Sequence, residues 1–566
     1  MTQQLILYPL FLQMAISIIL MFGWSRIRFQ KIFSIFGSTL SVILAIVLFS
    51  YIWQNGTQTI QAGNWEAPFG ITFVADSLAA TLVLLTAISG LAVSIFSAGS
   101  VLRDRLRFGY FPIFHFLLLG LNGAFLTGDI FNLYVWFEII IISSFVLITI
   151  GGEKAQLEGA VKYFTLNILA SMIFLTAIAV LYGITGSLNM ADLAGQVAAV
   201  ENRGLVQITA ILFLIGFGIK AGVFPLYFWL PASYHTPPFA VSAIFGGLLT
   251  KVGVYALIRV FTLIFVNEPF LNNIIMVIAI LTLVSGGIGA LVQNNMRKVF
   301  SYLIICHIGY MIAGIGMFTE IAIAGAIFYL IHDIIVKTNL FMLSGVVYRI
   351  TGTNSMRDLG GIYAKYPKIS LLLFIPLFSL VGIPPLSGFW PKINLIKAGF
   401  TGGNYITVAA IIFASFITLV IIAKMWAEVF WKDAKEMPER KYFGYYHKMT
   451  NLKRSQFIVP VAMLSIVSLY IGFGAEHIQE LSARIADELV KDCTRHVHDT
   501  TKLGDSDEFK EYESLHPYYG ECNYTETVQY TGAKALRVCF DPKCSTSQDA
   551  CYLEFLVDNG QRRVAL

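Results

Sequence analysis

The stretch Ile211-Leu-Phe-Leu-Ile-Gly-Phe-Gly-Ile-Lys220-Ala-Gly-Val-Phe-Pro225-Leu-Tyr-Phe-Trp229-Leu-Pro231 decides the fold. It is long and apolar enough to cross about 30 Å of hydrocarbon, for which about 20 residues suffice. Yet it carries a lysine at its centre and a proline five residues later. Proline lacks a backbone donor and its ring clashes with the preceding turn, so the helix should break just after Lys220. Carbonyls freed inside a bilayer need partners or water. A lysine beside such a break is well placed to meet that water.

A second stretch, Gly382-Ile-Pro384-Pro385-Leu386-Ser-Gly-Phe-Trp390-Pro391-Lys392, repeats the idea five spans later. Both share proline, leucine, a following tryptophan and a further proline. Paired interrupted helices in corresponding positions point to inverted repeats around a midplane pathway. An odd offset of five spans inverts the orientation. Interface anchoring is the other ordinary source of Pro–Leu–Trp clusters.

Around these stretches the chain is overwhelmingly apolar. Its 566 residues are 57% hydrophobic and 13% charged, against about 25% charged in soluble proteins, and the mean hydropathy is +0.71. The expectation is an all-α polytopic membrane protein. Apolar runs place about fourteen spans near 4–24, 33–54, 71–97, 109–127, 129–150, 160–185, 207–228, 239–264, 271–292, 299–318, 321–348, 370–398, 404–430 and 456–475. The first run is as long as a true span and has no basic leader, so no cleavable signal is expected.

Lysine and arginine sort by loop. Alternate loops hold 21 of them, from Arg26, Arg28 and Lys31 through Arg103, Lys154, Arg297 and Arg349 to Lys453 and Arg454, whereas the intervening loops between spans hold only Arg203. The basic loops are read as cytoplasmic. Both termini are then extracytoplasmic, and the net charge of +5 reflects this sorting rather than a nucleic-acid role.

Five ionisable residues sit deep in apolar runs: Glu138, Lys220, Lys251, Lys337 and Lys392. Each opposes insertion by roughly 2.5–3.5 kcal/mol, together on the order of 10 kcal/mol. Such a load points to an ion or proton path. Glu138 has no opposite charge within reach on its own span, and Lys220 is its expected partner. Burial disfavours the ammonium and a neighbouring carboxylate favours it, so parting the pair would release a proton.

Lys251 opens a face with Tyr255 and Arg259, near the loop Tyr234-His235-Thr-Pro237-Pro238. Lys337 follows Asp333 by four residues, the favourable order for a helical pair, with His332 adjacent; a self-neutralised structural pair is the alternative there. Snorkelling is the alternative for Lys392, and a structural role the alternative for His235 and His307. Membrane carboxylates are few: Glu138, Asp76, Asp333 and Glu428. A sodium site wants several oxygen ligands, and a row of lysines repels sodium, so protons fit better. The membrane part has no CxxC pair, haem-type histidine pair, phosphate-cradling loop or dinucleotide fingerprint. No cofactor or resident metal is expected.

Three regions follow. Residues 1–476 form the membrane domain. Residues 477–492 read as an amphipathic helix with Ile478, Leu481, Ile485 and Leu489 on one face. Residues 493–566 form an extracytoplasmic tail of net charge −4 with five of the six cysteines, Cys493, Cys522, Cys539, Cys544 and Cys551, and a sequon at Asn523. A disulfide framework with one odd thiol is expected for it. A loose zinc site with His496 and His498 is the rival, and a fusion is a further origin for the segment.

Several motifs together resemble the antiporter-like subunits shared by respiratory complex I and the Mrp cation/proton antiporters. They are Phe137-Glu138; Gly218-Ile-Lys220-Ala-Gly-Val-Phe-Pro225-Leu with Trp229-Leu-Pro231; Tyr234-His235-Thr-Pro-Pro; and Thr250-Lys251-Val-Gly-Val-Tyr255. His332-Asp333-Ile-Ile-Val-Lys337-Thr-Asn and Gly382-Ile-Pro384-Pro385-Leu-Ser-Gly-Phe-Trp-Pro-Lys392 look most like the D-type subunits of the Mrp group. The resemblance covers roughly residues 1–490.

The resemblance implies fourteen helices with two inverted five-helix repeats, in one subunit of a hetero-oligomeric assembly in the bacterial plasma membrane that exchanges Na⁺ for H⁺. By motif position, Glu138 would pair with Lys220, Lys251 would bridge two half-channels, Lys337 would belong to the hydrated axis, and Lys392 would stand near the far opening. Pro225, Pro384 and Pro385 would make the breaks, with His235, His332, Asp333 and Asp76 in support. The alternative keeps the fold and changes the machine: a proton-pumping subunit of complex I or of a membrane-bound hydrogenase.

Overall fold

The computed structural model describes residues 3–65, 67, 69–266, 268–433, 446, 449–491, 554–556 and 563–565. The chain divides into two compact units, Met1–Val497 and His498–Leu566.

In chain order the first unit comprises α1 (Tyr8–Phe22), α2 (Ile27–Asn55), β1 (Gln58–Gln61), β2 (Thr72–Ala75), α3 (Ser77–Ser100), α4 (Tyr110–Leu126), α5 (Ile130–Thr149), α6 (Lys154–Thr185), α7 (Arg203–Ala221), α8 (Phe239–Leu263), α9 (Pro269–Leu291), α10 (Met296–Met317), α11 (Glu320–Thr351), α12 (Pro367–Val381), α13 (Phe389–Thr401), α14 (Tyr405–Trp431), α15 (Asn451–Phe473) and α16 (Ala475–Lys491), with shorter helical turns between them. Eleven of the described helices are long and apolar enough to cross a membrane, and α1, α4 and α12 are shorter apolar helices. The protein is a multi-pass helical membrane protein.

Helix starts follow local chemistry. Asp76 Oδ1 accepts from the Ala79 N–H at 2.8 Å and Asp129 Oδ1 from the Asn132 N–H at 2.6 Å, each satisfying a first-turn donor that the helix cannot. Helices α7 and α12 both end in left-handed glycines, Gly222 (φ 83°) and Gly382 (φ 86°), a conformation that costs glycine little.

A helix that is apolar all round belongs in an interior. Helices α8, α10 and α11 are almost wholly buried within the protein, whereas about a third of α2 is. The charged residues of α8 and α11 are therefore enclosed by protein and not by lipid. Close approach at this centre depends on small residues: a Cβ on Gly247 of α8 would lie 1.9 Å from Thr338 Oγ1 of α11.

Strands β1 and β2 pair antiparallel, with Gln58 opposite Ala75 and Gln61 opposite Thr72. This corrects the span expected from residue 71. Residues Thr72–Ala75 are extended, and the helix starts at Ser77.

One hydrogen-bond pattern occurs twice, 166 residues apart. The Ile130 N–H donates to Leu188 O and the Met190 N–H to Gly128 O, both at 2.9 Å, fastening the start of α5 to the turn after α6. The Met296 N–H donates to Asn354 O at 3.0 Å and the Met356 N–H to Asn294 O at 2.8 Å, fastening α10 to the turn after α11. Thr185 and Thr351 each donate to the carbonyl four residues back at 2.8 Å.

Helix α16 buries Ile478, Leu481, Ile485 and Leu489. Its polar side is tied as well: Ser77 donates to Glu488 through Oγ at 2.6 Å and through its N–H at 3.1 Å, and Arg484 donates to Trp53 O at 2.9 Å.

In the second unit, β3 (Glu554–Leu556) pairs antiparallel with β4 (Arg563–Ala565). The tail cysteines, the histidine-containing zinc alternative and the sequon lie outside the described residues.

Candidate functional site

The chain breaks where Pro225 and Pro384–Pro385 foretell it. Helix α7 stops at Ala221 and a short helix resumes at Trp229; α12 stops at Val381 and α13 resumes at Phe389. The Phe224–Pro225 and Pro384–Pro385 peptide bonds are cis.

At the first break the buried Lys220 ammonium donates to Ser171 Oγ of α6 at 3.0 Å and lies 4.6 Å from the centre of the Phe137 ring. A small cavity borders it, lined by Phe137, Tyr163, Asn167, Trp229 and Leu249 among others. The Trp229 indole N–H donates to Ile219 O at 3.0 Å, serving a carbonyl that the broken helix leaves open. Glu138 on α5 is half-buried and its Oε1 has no hydrogen-bond partner. Glu138 and Lys220 make no ion pair within 4 Å in this structure; Lys220 is held by a hydroxyl and an aromatic face instead.

The centre is a buried ion pair across two helices. Lys251 Nζ of α8 lies 2.7 Å from Asp333 Oδ2 of α11, with no solvent exposure on either side chain. The same ammonium donates to Gly246 O at 2.7 Å, within a π-helical turn at Phe245–Leu249, a distortion frequent at functional sites. His307 Nδ1 of α10 faces the other Asp333 oxygen at 3.3 Å. Removing one partner of such a pair costs about 3–5 kcal/mol, because an uncompensated charge stays behind.

Helical spacing pointed to Lys337 as the partner of Asp333, but the tertiary fold supplies Lys251. Lys337 is fully buried and its Nζ has no hydrogen-bond partner. His307 Nε2, His332 Nε2 and Tyr329 Oη are likewise buried without one. Buried polar groups are satisfied by protein or by water, so these four atoms mark where water would serve the site. The Tyr310 and Tyr329 rings stack at 4.8 Å, and His307 meets both edge-on.

At the second break Lys392 donates to Val381 O at 2.7 Å and to Leu380 O at 3.3 Å, with its ammonium 5.4 Å from the centre of the Tyr310 ring. His332 Nδ1 lies 2.8 Å from Ser387 Oγ within the break.

Two supporting residues stand elsewhere. His235 is half-buried with Nδ1 2.7 Å from Pro231 O. Asp76 pairs with Arg259 at 2.6 Å where α3 begins; Arg259 lies two turns beyond Lys251 on α8. Sequence reasoning missed Ser171, Tyr310, Tyr329, Ser387 and Ser468. They are uncharged and share no spacing, so only the fold assembles them. Among the described residues, no group of three His, Cys, Asp or Glu side chains is arranged to hold a metal ion.

Chemically, the arrangement is a set of buried bases and acids, Lys220, then Lys251–Asp333–His307 with Lys337 and His332, then Lys392, running between two broken helices. Such groups can hold and pass protons, and they offer no cluster of oxygens for a hard cation.

Residues 127–418 match the family described as NADH:quinone oxidoreductase/Mrp antiporter, TM. The chain is similar to the D-type subunit of the Na(+)/H(+) antiporter of Alkalihalophilus pseudofirmus, with 40% identity over 499 residues, 88% of this chain and 99% of the relative. Among solved structures, it is similar to a chain of the Mrp complex from Dietzia sp. DQ12-45-1b, with TM-score 0.80, 25% identity, and coverage of 88% of this chain and 99% of that one. It is also similar to a chain of the membrane-bound sulfane sulfur reductase, an archaeal respiratory membrane complex, with TM-score 0.78, 27% identity and the same coverage.

Proposed function

Because the chain belongs to the NADH:quinone oxidoreductase/Mrp antiporter membrane family, we propose that it is the D-type component of a multisubunit Na⁺/H⁺ antiporter and moves protons along its buried axis. The observation that carries this reading is the line of enclosed ionisable groups from Lys220 through Lys251–Asp333 to Lys392, set between two broken helices. The D-type relatives match nearly the whole membrane unit, which favours antiport over redox-driven pumping. The machine is a secondary transporter driven by the proton gradient, and Na⁺ is exchanged through the complex as a whole.

The finer architecture follows the same reading. The eleven long helices, the three short apolar ones and the broken α12–α13 give fourteen crossings. The hydrogen-bond pattern repeated after 166 residues supports two five-helix repeats of opposite orientation. The sorting of basic loops places both termini outside. Glu138 faces the first break as a movable counter-charge for Lys220, and Lys251 with Asp333 joins the two halves.

In operation, a proton on Lys220 would be held by Ser171 and released when Glu138 withdraws. Water among Lys337, His307 and His332 would carry it past the Lys251–Asp333 pair, and Lys392 would pass it on beyond the second break. Each transfer moves one proton between neighbouring groups, and no group is consumed.

The test is to express the chain with its partner subunits in cells lacking other Na⁺/H⁺ antiporters, energise everted vesicles and add Na⁺ without NADH. Collapse of the pH gradient is the expected result. Indifference to Na⁺, with acidification only during NADH oxidation by this complex, would move the chain to the redox-driven members of the family.

A further inference from the structure

The second break also holds a line of neutral polar groups that the charged axis does not use. His332 Nδ1 lies 2.8 Å from Ser387 Oγ, Ser387 Oγ lies 3.1 Å from Ser468 Oγ, and Ser468 donates to Ser379 Oγ at 3.2 Å. All four side chains are fully buried. They come from α11, the break itself, α15 and α12.

A buried helical serine commonly turns its hydroxyl back to the carbonyl four residues earlier, as Ser17, Ser41, Ser97 and Ser144 do here. These three serines bond to one another and to an imidazole instead. If the His332 Nδ1–H donates to Ser387, every hydroxyl in the line donates onward, ending at Ser379. Nδ1 is then committed as a donor and Nε2 carries the lone pair.

Nε2 has no hydrogen-bond partner in the protein, and the space beside it is kept open by a glycine. A Cβ on Gly388 would lie 3.0 Å from Nε2 and 2.1 Å from Ser379 O. The titratable groups around His332 are Asp333, Lys337 and Tyr329 on α11, His307 on α10, Lys251 on α8 and Lys392 on α13.

We propose that Ser387 and Ser468 are positioning residues that lock the His332 ring with Nε2 as its open end, so that His332 passes protons between the Asp333 cluster and the second break. Nε2 accepts one proton to give the imidazolium and gives up the same proton onward, while the Nδ1 proton stays shared with Ser387. This inference rests on the reading that the buried axis carries protons.

The experiment uses the whole complex in everted vesicles, following Na⁺-dependent exchange across pH together with the abundance of assembled protein. Ser387→Ala should slow exchange roughly ten-fold, the scale of one lost hydrogen bond to a charged group, and shift the pH profile at normal abundance. Ser468→Ala should do the same more weakly, and Ser387→Thr should recover most of the loss. A wild-type rate and profile in Ser387→Ala would overturn the proposal, as would a loss in Ser387→Thr equal to that in Ser387→Ala. If Ser387→Ala does not assemble, an unshifted profile in Ser468→Ala overturns it. Normal exchange in Lys251→Ala would instead remove the underlying proton-axis reading.

Discussion

The two broken helices use their cations in opposite ways. At the first, Lys220 precedes the break, and the exposed helix end is served by an indole: Trp229 donates to Ile219 O at 3.0 Å. The ammonium takes no part in that repair and rests on one neutral hydroxyl, Ser171. At the second, the lysine follows the break and folds back, so that Lys392 itself serves the open carbonyls of Leu380 and Val381, while Trp390 donates to Gly472 O of α15 at 2.9 Å. One break leaves its cation loosely held beside a carboxylate; the other builds its cation into the backbone. The first is suited to exchanging partners, and the second to a fixed relay point.

The largest test of this contrast is transport itself. Lys220→Ala and Lys392→Ala should each lower Na⁺-dependent exchange in vesicles by at least about a hundred-fold, the lower range for a lost proton-transfer group. Appreciable exchange in either variant would remove that lysine from the path.

Stability should then separate the two breaks. Lys392→Ala leaves two buried carbonyls without a donor, which costs about 1–3 kcal/mol for each unsatisfied group, and should lower the melting temperature of the solubilised complex. Lys220→Ala removes a buried charge and strands no backbone group, so its melting temperature should not fall. Trp229→Phe should behave like Lys392→Ala, at about 1 kcal/mol, because at the first break the indole does what the lysine does at the second. Equal melting temperatures across the three variants would erase the distinction.

The smallest expected effect lies outside the membrane unit. Deleting residues 493–566 should leave exchange and protein abundance unchanged; loss of either would assign the tail a role in transport or assembly.

Much of this was legible in the sequence because it rests on local chemistry. A proline in an apolar run must break a helix wherever the run sits, so both breaks were readable near Lys220 and Lys392. The apolar face of α16 was readable from its spacing for the same reason. Strands β1 and β2 were not, since each is four residues long and their pairing crosses a turn that no periodicity marks. Span 71–97 absorbed β2 because Thr72–Ala75 is apolar enough to extend the run.

The partners of the charges were the least legible feature. Four-residue spacing favours Asp333 with Lys337, and only the packing of α8 against α11 brings Lys251 to 2.7 Å. Glu138 was expected on Lys220, yet Phe137 and Ser171 hold that ammonium.

The sequence by itself determined that this is a membrane protein, where its helices break and which ionisable residues lie in its spans, because hydropathy and proline geometry act within a few turns of one chain segment. Only the tertiary structure decided which charge meets which, which serines turn toward His332 and which lysine mends a helix end. Those contacts depend on the rotation and depth of helices far apart in sequence, and such quantities are set by packing among all of them at once.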